Sequence, residues 1–153
     1  MRIPVTGMFR VLSVASLLAA PGLVSGQMEE MEKSSDVKIS RAAICMQVEE
    51  REPAEIDTVF RPDVGQLYAF TQVEGIPGPT RITHVWYHGD QEMFRKDLQI
   101  GNNGWRTWTS KKILPSWTGP WKVAILDQDG APLKTLEFTI AESTSSDSQS
   151  FDD

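Results

Sequence analysis

The stretch WKVAILDQDGAPLKTLEFTI, at positions 121–140, contains two alternating apolar patterns on either side of a short polar segment. The apolar positions that share a phase are Trp121, Val123 and Ile125 in the first half, and Leu136, Phe138 and Ile140 in the second. A period of two predicts half-buried β-strands. The intervening Asp127-Gln128-Asp129-Gly130 supplies residue types that tolerate the backbone of a tight turn. The stretch therefore predicts a β-hairpin.

Similar strand patterns precede this hairpin, with Gly, Pro, Asn or Asp in most of the breaks between them. We expect strands at 42–48, 66–73, 81–88, 93–100, 105–113, 121–127 and 134–140. Short strands with turn signals every 8–12 residues or so are typical of an immunoglobulin-like β-sandwich of about seven antiparallel strands. A small β-barrel gives a similar pattern and stays open as the alternative.

The composition excludes several classes of protein. The 153 residues are 40% hydrophobic and 24% charged, as in a globular domain rather than a collagen or a multi-span membrane protein. A formal net charge of −6 argues against nucleic acid as a partner, because that binding depends on basic contacts to phosphate. One cysteine and two histidines are too few for an internal disulfide or a structural zinc site. We expect no cofactor.

The first 26 residues have the pattern of a secretory signal peptide. Arg2 and Arg10 precede or flank an apolar run at 11–20, and small residues stand before Gln27, which would become the mature N-terminus. The run is too short to span a bilayer. We therefore expect a periplasmic or secreted protein whose mature chain has no transmembrane segment.

Two polar segments flank the predicted sandwich at residues 37–140. Residues 27–36 are predicted to be a flexible acidic linker, and residues 141–153 a disordered, acidic, Ser-rich tail. The sandwich itself holds 13 acidic and 12 basic residues. The acidity of the chain thus lies mainly outside the predicted domain and says little about that domain's partner.

Three motifs carry a resemblance to a known family. They are HVWY at 84–87, WRTWTSK at 105–111, and GPWKV at 119–123 running into DQDG at 127–130. In this order and spacing the chain from about Arg41 to Ile140 resembles a bacterial domain of unknown function, number 2914 in its naming series. The resemblance implies an exported or membrane-tethered all-β domain, and it implies no activity.

The titratable residues form no recognisable catalytic or metal-binding pattern in the sequence. On a strand, His84 and His88 would stand roughly 13 Å apart, too far to share an ion. We expect His84 to make a cross-strand contact and His88 to open a hairpin. No positive residue near Cys45 would activate its thiol, so we expect a packed free cysteine or one that pairs with another chain. The acidic segment 49–57 contains Pro53 and reads as a solvated loop.

Tryptophan is the most informative residue type, with five in the chain. Trp86 and Trp121 have apolar neighbours in phase, and we expect them in the core. The other three, with nearby cations, form a candidate interaction surface, because tryptophan and arginine are enriched where proteins bind each other. Its members are Trp105, Arg106, Trp108, Lys111 and Trp117. The alternative is that these rings only close the ends of the sandwich.

The spacing within this surface leaves its geometry open. Trp105 and Trp108 are three positions apart, so on one strand they must face opposite ways. Trp117 lies in a loop bounded by Pro115 and Pro120, where its ring either covers the core or is exposed. The sequence alone does not decide which ring faces outward.

We expect an exported, non-enzymatic binding module, an accessory subunit that contacts another protein in the bacterial cell envelope. A glycan- or cell-wall-binding sandwich is the alternative. It would require two flat, coplanar rings in a groove, with Asn102, Asn103 or Arg106 beside them. We predict no catalytic residue and no metal ligand, since no convergent catalytic group is evident.

Overall fold

The computed structural model describes residues 36–144, and this part of the chain is all-β, without a helix. The predicted signal peptide, most of the predicted linker and the end of the predicted tail lie outside the described residues. Nine strands form two sheets. They are β1 (Lys38–Glu49), β2 (Glu52–Ile56), β3 (Val59–Phe60), β4 (Gln66–Glu74), β5 (Thr80–His88), β6 (Gln91–Ile100), β7 (Trp105–Lys112), β8 (Gly119–Leu126) and β9 (Pro132–Ile140).

The two sheets pack as a β-sandwich and do not close into a barrel. The strand order is β2-β1-β4-β7 in the four-stranded sheet and β3-β9-β8-β5-β6 in the five-stranded sheet. Pairs within the described residues are antiparallel, except that β3 runs parallel to β9. The predicted fold class is therefore confirmed, and the barrel alternative is wrong.

All seven predicted strands are present, together with two further short strands. Of these, β2 lies in the acidic segment that we expected to be a loop, and β3 follows that segment. β1 and β2 form a hairpin whose turn residues Glu50 and Arg51 have φ of 48° and 65°. Non-glycine residues adopt this left-handed conformation only rarely, so the turn has no sequence signature. β3 has two residues, too few for a periodic pattern. The loop interpretation of residues 49–57 is therefore wrong.

The core between the sheets contains two apolar clusters. The first, which we call the tryptophan cluster, is built around Trp86, Trp121, Phe60 and Phe138. Phe138 meets Trp86 and Phe60 edge to face, with ring centroids 6.1 and 6.0 Å apart, a favoured aromatic geometry. The second cluster is aliphatic and comprises Val73, Ile76, Ile82, Ile100 and Ile125. The prediction that Trp86 and Trp121 belong to the core is confirmed.

The β1–β2 hairpin folds back over the outer face of the four-stranded sheet. Arg41 on β1, Gln72 on β4 and Arg106 on β7 lie in one row across this sheet. Glu52, at the start of β2, forms ion pairs with both arginines of the row, so it must lie above the strand between them. Phe70 also belongs to the outer face, and it is fully buried. The outer face of this sheet therefore also buries an apolar side chain, on the side where the ion pairs of Glu52 hold the hairpin.

Candidate functional site

The five residues of the candidate interaction surface lie in three different places. On β7, Trp105 is opposite Val73 and packs against the aliphatic cluster, whereas Trp108 is opposite Phe70 on the outer face. The two rings therefore face opposite sides of the strand, as predicted. Trp105 lies so close to Gly101 that a Cβ there would be 2.8 Å from its ring, so Gly101 allows the ring to seat on the backbone.

The cations near Trp105 are engaged by other residues of the same chain. The guanidinium of Arg51 lies 5.9 Å from the Trp105 ring centroid, and its Nη2 donates to the Arg106 carbonyl over 3.3 Å. Arg106 itself is 2.6 Å from Glu52. The hydrogen bond from Arg41, followed by the charge of Arg106, lowers the pKa of Glu52. These contacts attach the hairpin to β7.

Trp117 covers one end of the core. Its ring packs against the tryptophan cluster, 6.0 Å from the Trp121 ring at an interplanar angle of 48°. The Trp117 carbonyl accepts a 2.9 Å hydrogen bond from Trp121 Nε1. Lys111 Nζ lies 4.9 Å from the Trp117 ring centroid. Of the two alternatives for Trp117, a ring that covers the core or a ring that is exposed, the structure favours the first.

These positions do not form the flat pair of rings that a glycan platform would require. Trp105 and Trp108 lie on opposite faces, and Trp121, the neighbour of Trp117, is buried. Asn103, expected beside such a platform, uses its side-chain oxygen to accept a hydrogen bond from the Ile76 backbone. The tryptophans therefore do not converge on one contact surface.

A different surface, which the sequence analysis missed, gathers exposed apolar side chains. Met46, Ile56 and Val59 are 39%, 57% and 55% exposed. All three line one groove of about 530 Å³ on the flank of the sandwich, where the end strands β2 and β3 lie. We call it the flank groove; its lining residues are Met46, Glu55, Ile56, Asp57, Val59, Phe60, Arg61, Asp63 and Val64. Its apolar residues come from separate strands and a loop, so no short stretch of the sequence predicts the groove.

The polar rim of the flank groove carries more negative than positive charge. Glu55, Asp57 and Asp63 stand against the single guanidinium of Arg61. Arg61 is held by Asp63 through two hydrogen bonds of 3.1 Å. Asp57 Oδ1 accepts from the backbone N–H groups of the two following residues, which fixes the turn between β2 and β3. Glu55, at a φ of 57°, accepts from Gln47 Nε2.

The buried histidine connects the two sheets instead of making the predicted contact within one. His84 Nδ1 is 2.8 Å from Thr109 Oγ1, and His84 Nε2 is 2.9 Å from Thr71 Oγ1, both on the four-stranded sheet. Trp86 Nε1 donates to the same Thr109 oxygen over 3.0 Å. Burial lowers the pKa of His84 to about 4, because the interior disfavours the imidazolium. The neutral ring thus connects the two sheets through hydrogen bonds to the threonine hydroxyls.

The second histidine and the cysteine also serve packing. His88 ends β5, as predicted, stacks on Trp121 at 4.7 Å and donates from Nε2 to the Thr118 carbonyl over 2.7 Å. Cys45 is buried and free, and burial raises the pKa of its thiol. Within residues 36–144, no three His, Cys, Asp or Glu side chains are grouped so as to hold a metal ion.

Part of the chain matches a known protein family. In the described part of the chain, no helix has the length and apolar character needed to cross a membrane. No curated protein matches the chain. Residues 79–140, which include β5 to β9, match the family described as "Protein of unknown function (DUF2914)". The resemblance predicted from the sequence motifs is therefore confirmed over residues 79–140, which are part of the predicted span from Arg41 to Ile140.

Proposed function

We propose that the chain is a non-enzymatic binding module that is exported and acts as an accessory protein-interaction subunit in the bacterial cell envelope. The flank groove carries this proposal. Four large hydrophobic side chains are exposed in residues 36–144, and three of them, Met46, Ile56 and Val59, line this one groove. Apolar side chains that gather in one exposed place, with polar residues around them, mark interaction sites more often than scattered ones do.

The construction of the groove also favours binding. Ile56 and Val59 are more than half exposed, so they contribute little to the stability of the folded chain. Phe60 and Val64, in contrast, belong to or pack against the tryptophan cluster. A rigid floor with exposed apolar walls loses little conformational entropy when a partner binds.

The buried polar groups support a binding role over catalysis. Every buried side-chain nitrogen or oxygen within the described residues has a hydrogen-bond partner. His84 is held between two threonines, and Asp127 accepts from two backbone N–H groups of its own turn. A general acid or base must present a free site to its substrate, which these groups do not.

A matched pair of variants tests the proposed function. In Ile56→Thr/Val59→Thr, hydroxyl and methyl groups replace exposed apolar groups while both side chains stay β-branched, and in Leu114→Thr an exposed apolar residue outside the groove is changed. We expect the tagged chain and Leu114→Thr to recover the same stoichiometric protein from an envelope extract, and the double variant to lose it. Failure of the unaltered chain to recover any stoichiometric protein would refute the proposal.

Two further measurements address the location and the glycan alternative. Fractionation should place a chain that begins at Gln27 in the periplasm or medium, and an unprocessed cytoplasmic chain would contradict export. Titration with cell-wall polysaccharides should leave tryptophan fluorescence unchanged. A saturable change that persists in Ile56→Thr/Val59→Thr would favour glycan binding at another surface.

A further inference from the structure

We infer that the flank groove receives a short polypeptide segment that is both apolar and cationic. This inference rests on the proposed binding function and names the chemistry of the partner. Two properties of the groove lead to it: the apolar walls described above, and the excess of carboxylates around them.

The size of the groove limits how much of a partner it accommodates. Its volume of about 530 Å³ falls within the range of pockets that bind small ligands. A few side chains fill such a space, whereas the flat face of a folded domain does not enter it. The apolar surfaces of Met46, Ile56 and Val59 are the contacts that these side chains would cover.

The rim determines the charge of the segment. Asp63 already pairs with Arg61, which leaves Glu55 and Asp57 without a cationic partner among the residues that line the groove. Lysine or arginine beside the inserted apolar residues would complement these two carboxylates, and charge complementarity selects among partners that are equally apolar. The same carboxylates repel the anionic surface of a membrane.

The backbone of β2 indicates whether the partner segment binds as an added strand or through side chains. β2 is an end strand of the four-stranded sheet, so in principle a partner strand can pair with it. Glu55, however, has a φ of 57°, which interrupts the extended row of N–H and C=O groups that strand addition requires. Recognition therefore depends on side chains in the groove and not on an added strand.

Two synthetic peptides test the inference with the full chain. One is a capped octapeptide of alternating lysine and leucine, and the other has glutamate in place of lysine. Calorimetric titration should give binding of the lysine peptide that is at least about tenfold tighter than that of the glutamate peptide, since like charges on the rim oppose the latter. Binding should weaken as the salt concentration rises, because the rim is exposed.

Groove variants locate the binding. Ile56→Thr/Val59→Thr should weaken binding of the lysine peptide by about tenfold or more, as expected when one or two buried methyl groups are lost. Glu55→Gln should weaken it by about two- to fivefold, the usual effect of one exposed charge pair. Glu74→Gln, an exposed carboxylate outside the groove, should leave it unchanged. Circular dichroism and thermal melting should show that all three variants fold.

Four outcomes would overturn the inference: no binding of the lysine peptide, equal binding of the two peptides, binding that Ile56→Thr/Val59→Thr leaves unchanged, or groove-dependent binding to anionic vesicles. These outcomes are distinguishable from failure of the proposed function. If Ile56→Thr/Val59→Thr still abolishes capture of the envelope partner, the chain is a binding module and only the cationic chemistry of its partner is wrong.

Discussion

The tryptophan-rich region around β7 and the flank groove differ in how their apolar side chains are used. Trp105 and Trp117 pack against the core, and Arg51 and Lys111 of the same chain lie over their rings. Met46, Ile56 and Val59, in contrast, remain exposed in the groove. Abundant aromatic residues with nearby cations, the usual composition of a binding surface, can therefore equally close the ends of a small sandwich.

The largest expected effect is the dependence of stability on pH. It tests whether His84, buried beside Trp86, has a purely structural role. The folded chain keeps His84 neutral down to about pH 4, whereas an unfolded histidine takes up a proton near pH 6.5. Between these values the unfolded state binds more protons. The free energy of unfolding should therefore fall as pH drops from 6.5 towards 4, by about 3 kcal/mol in total, and this contribution should be constant above pH 6.5.

Urea denaturation at a series of pH values measures this dependence. A His84→Gln variant should be less stable at neutral pH but should lose less stability on acidification than the unaltered chain. Comparison of the two slopes removes the contribution of the carboxylates, which also titrate near pH 4. Equal slopes would show that His84 is not held neutral in the folded chain.

The next effect compares the two regions directly. Trp117→Ala removes a ring that packs on the core, and we expect it to lower the free energy of unfolding by about 2 kcal/mol, less than for a fully buried tryptophan. Ile56→Thr/Val59→Thr should change that energy by less than about 0.5 kcal/mol, because both side chains are largely exposed. Thermal and urea melts provide both values.

Binding should show the opposite order, with capture of the envelope partner lost in the double variant and retained in Trp117→Ala. If Trp117→Ala is as stable as the unaltered chain and abolishes capture, the tryptophan region is the docking surface after all, and the comparison fails.

The sequence predicts what is local, and the structure adds what depends on distant elements. The β8–β9 hairpin follows from alternation and from Asp127, whose carboxylate binds the turn backbone. The opposite orientations of Trp105 and Trp108 follow from strand geometry, but the inner ring is identified only once Val73 on β4 lies opposite Trp105. Periodicity contains no information about such pairings.

The flank groove could not be predicted from the sequence, because it too depends on how separate strands are brought together. Met46 directly follows the part of β1 that pairs with β4, Ile56 ends β2, and Val59 begins β3. The turn that brings these elements together uses Glu50 and Arg51 at positive φ, where glycine would have signalled a turn. A charged segment with one proline therefore resembled a solvated loop, although it forms the hairpin that builds the groove.

The smallest expected effect concerns the outer face of the four-stranded sheet near Trp108, and it tests whether the buried residues of that face stay covered in solution. Cys45 lies on the same outer face as Phe70, is fully buried, and is adjacent to the base of the β1–β2 hairpin. Glu52 holds the hairpin to Arg41 and Arg106 through exposed ion pairs, which contribute little to stability. Glu52→Gln should therefore raise the rate at which a thiol reagent labels Cys45 only modestly, by about two- to fivefold.

A matched control for this labelling experiment is Glu92→Gln, which breaks a comparable exposed ion pair with Arg95 on the five-stranded sheet. It should leave the labelling rate of Cys45 unchanged, since that pair does not touch the hairpin. If the unaltered chain is instead labelled as fast as the urea-unfolded chain, the hairpin is open in solution. The face that carries Trp108 and Phe70 would then be accessible to a partner, and the contrast between a structural tryptophan region and a functional groove would no longer hold.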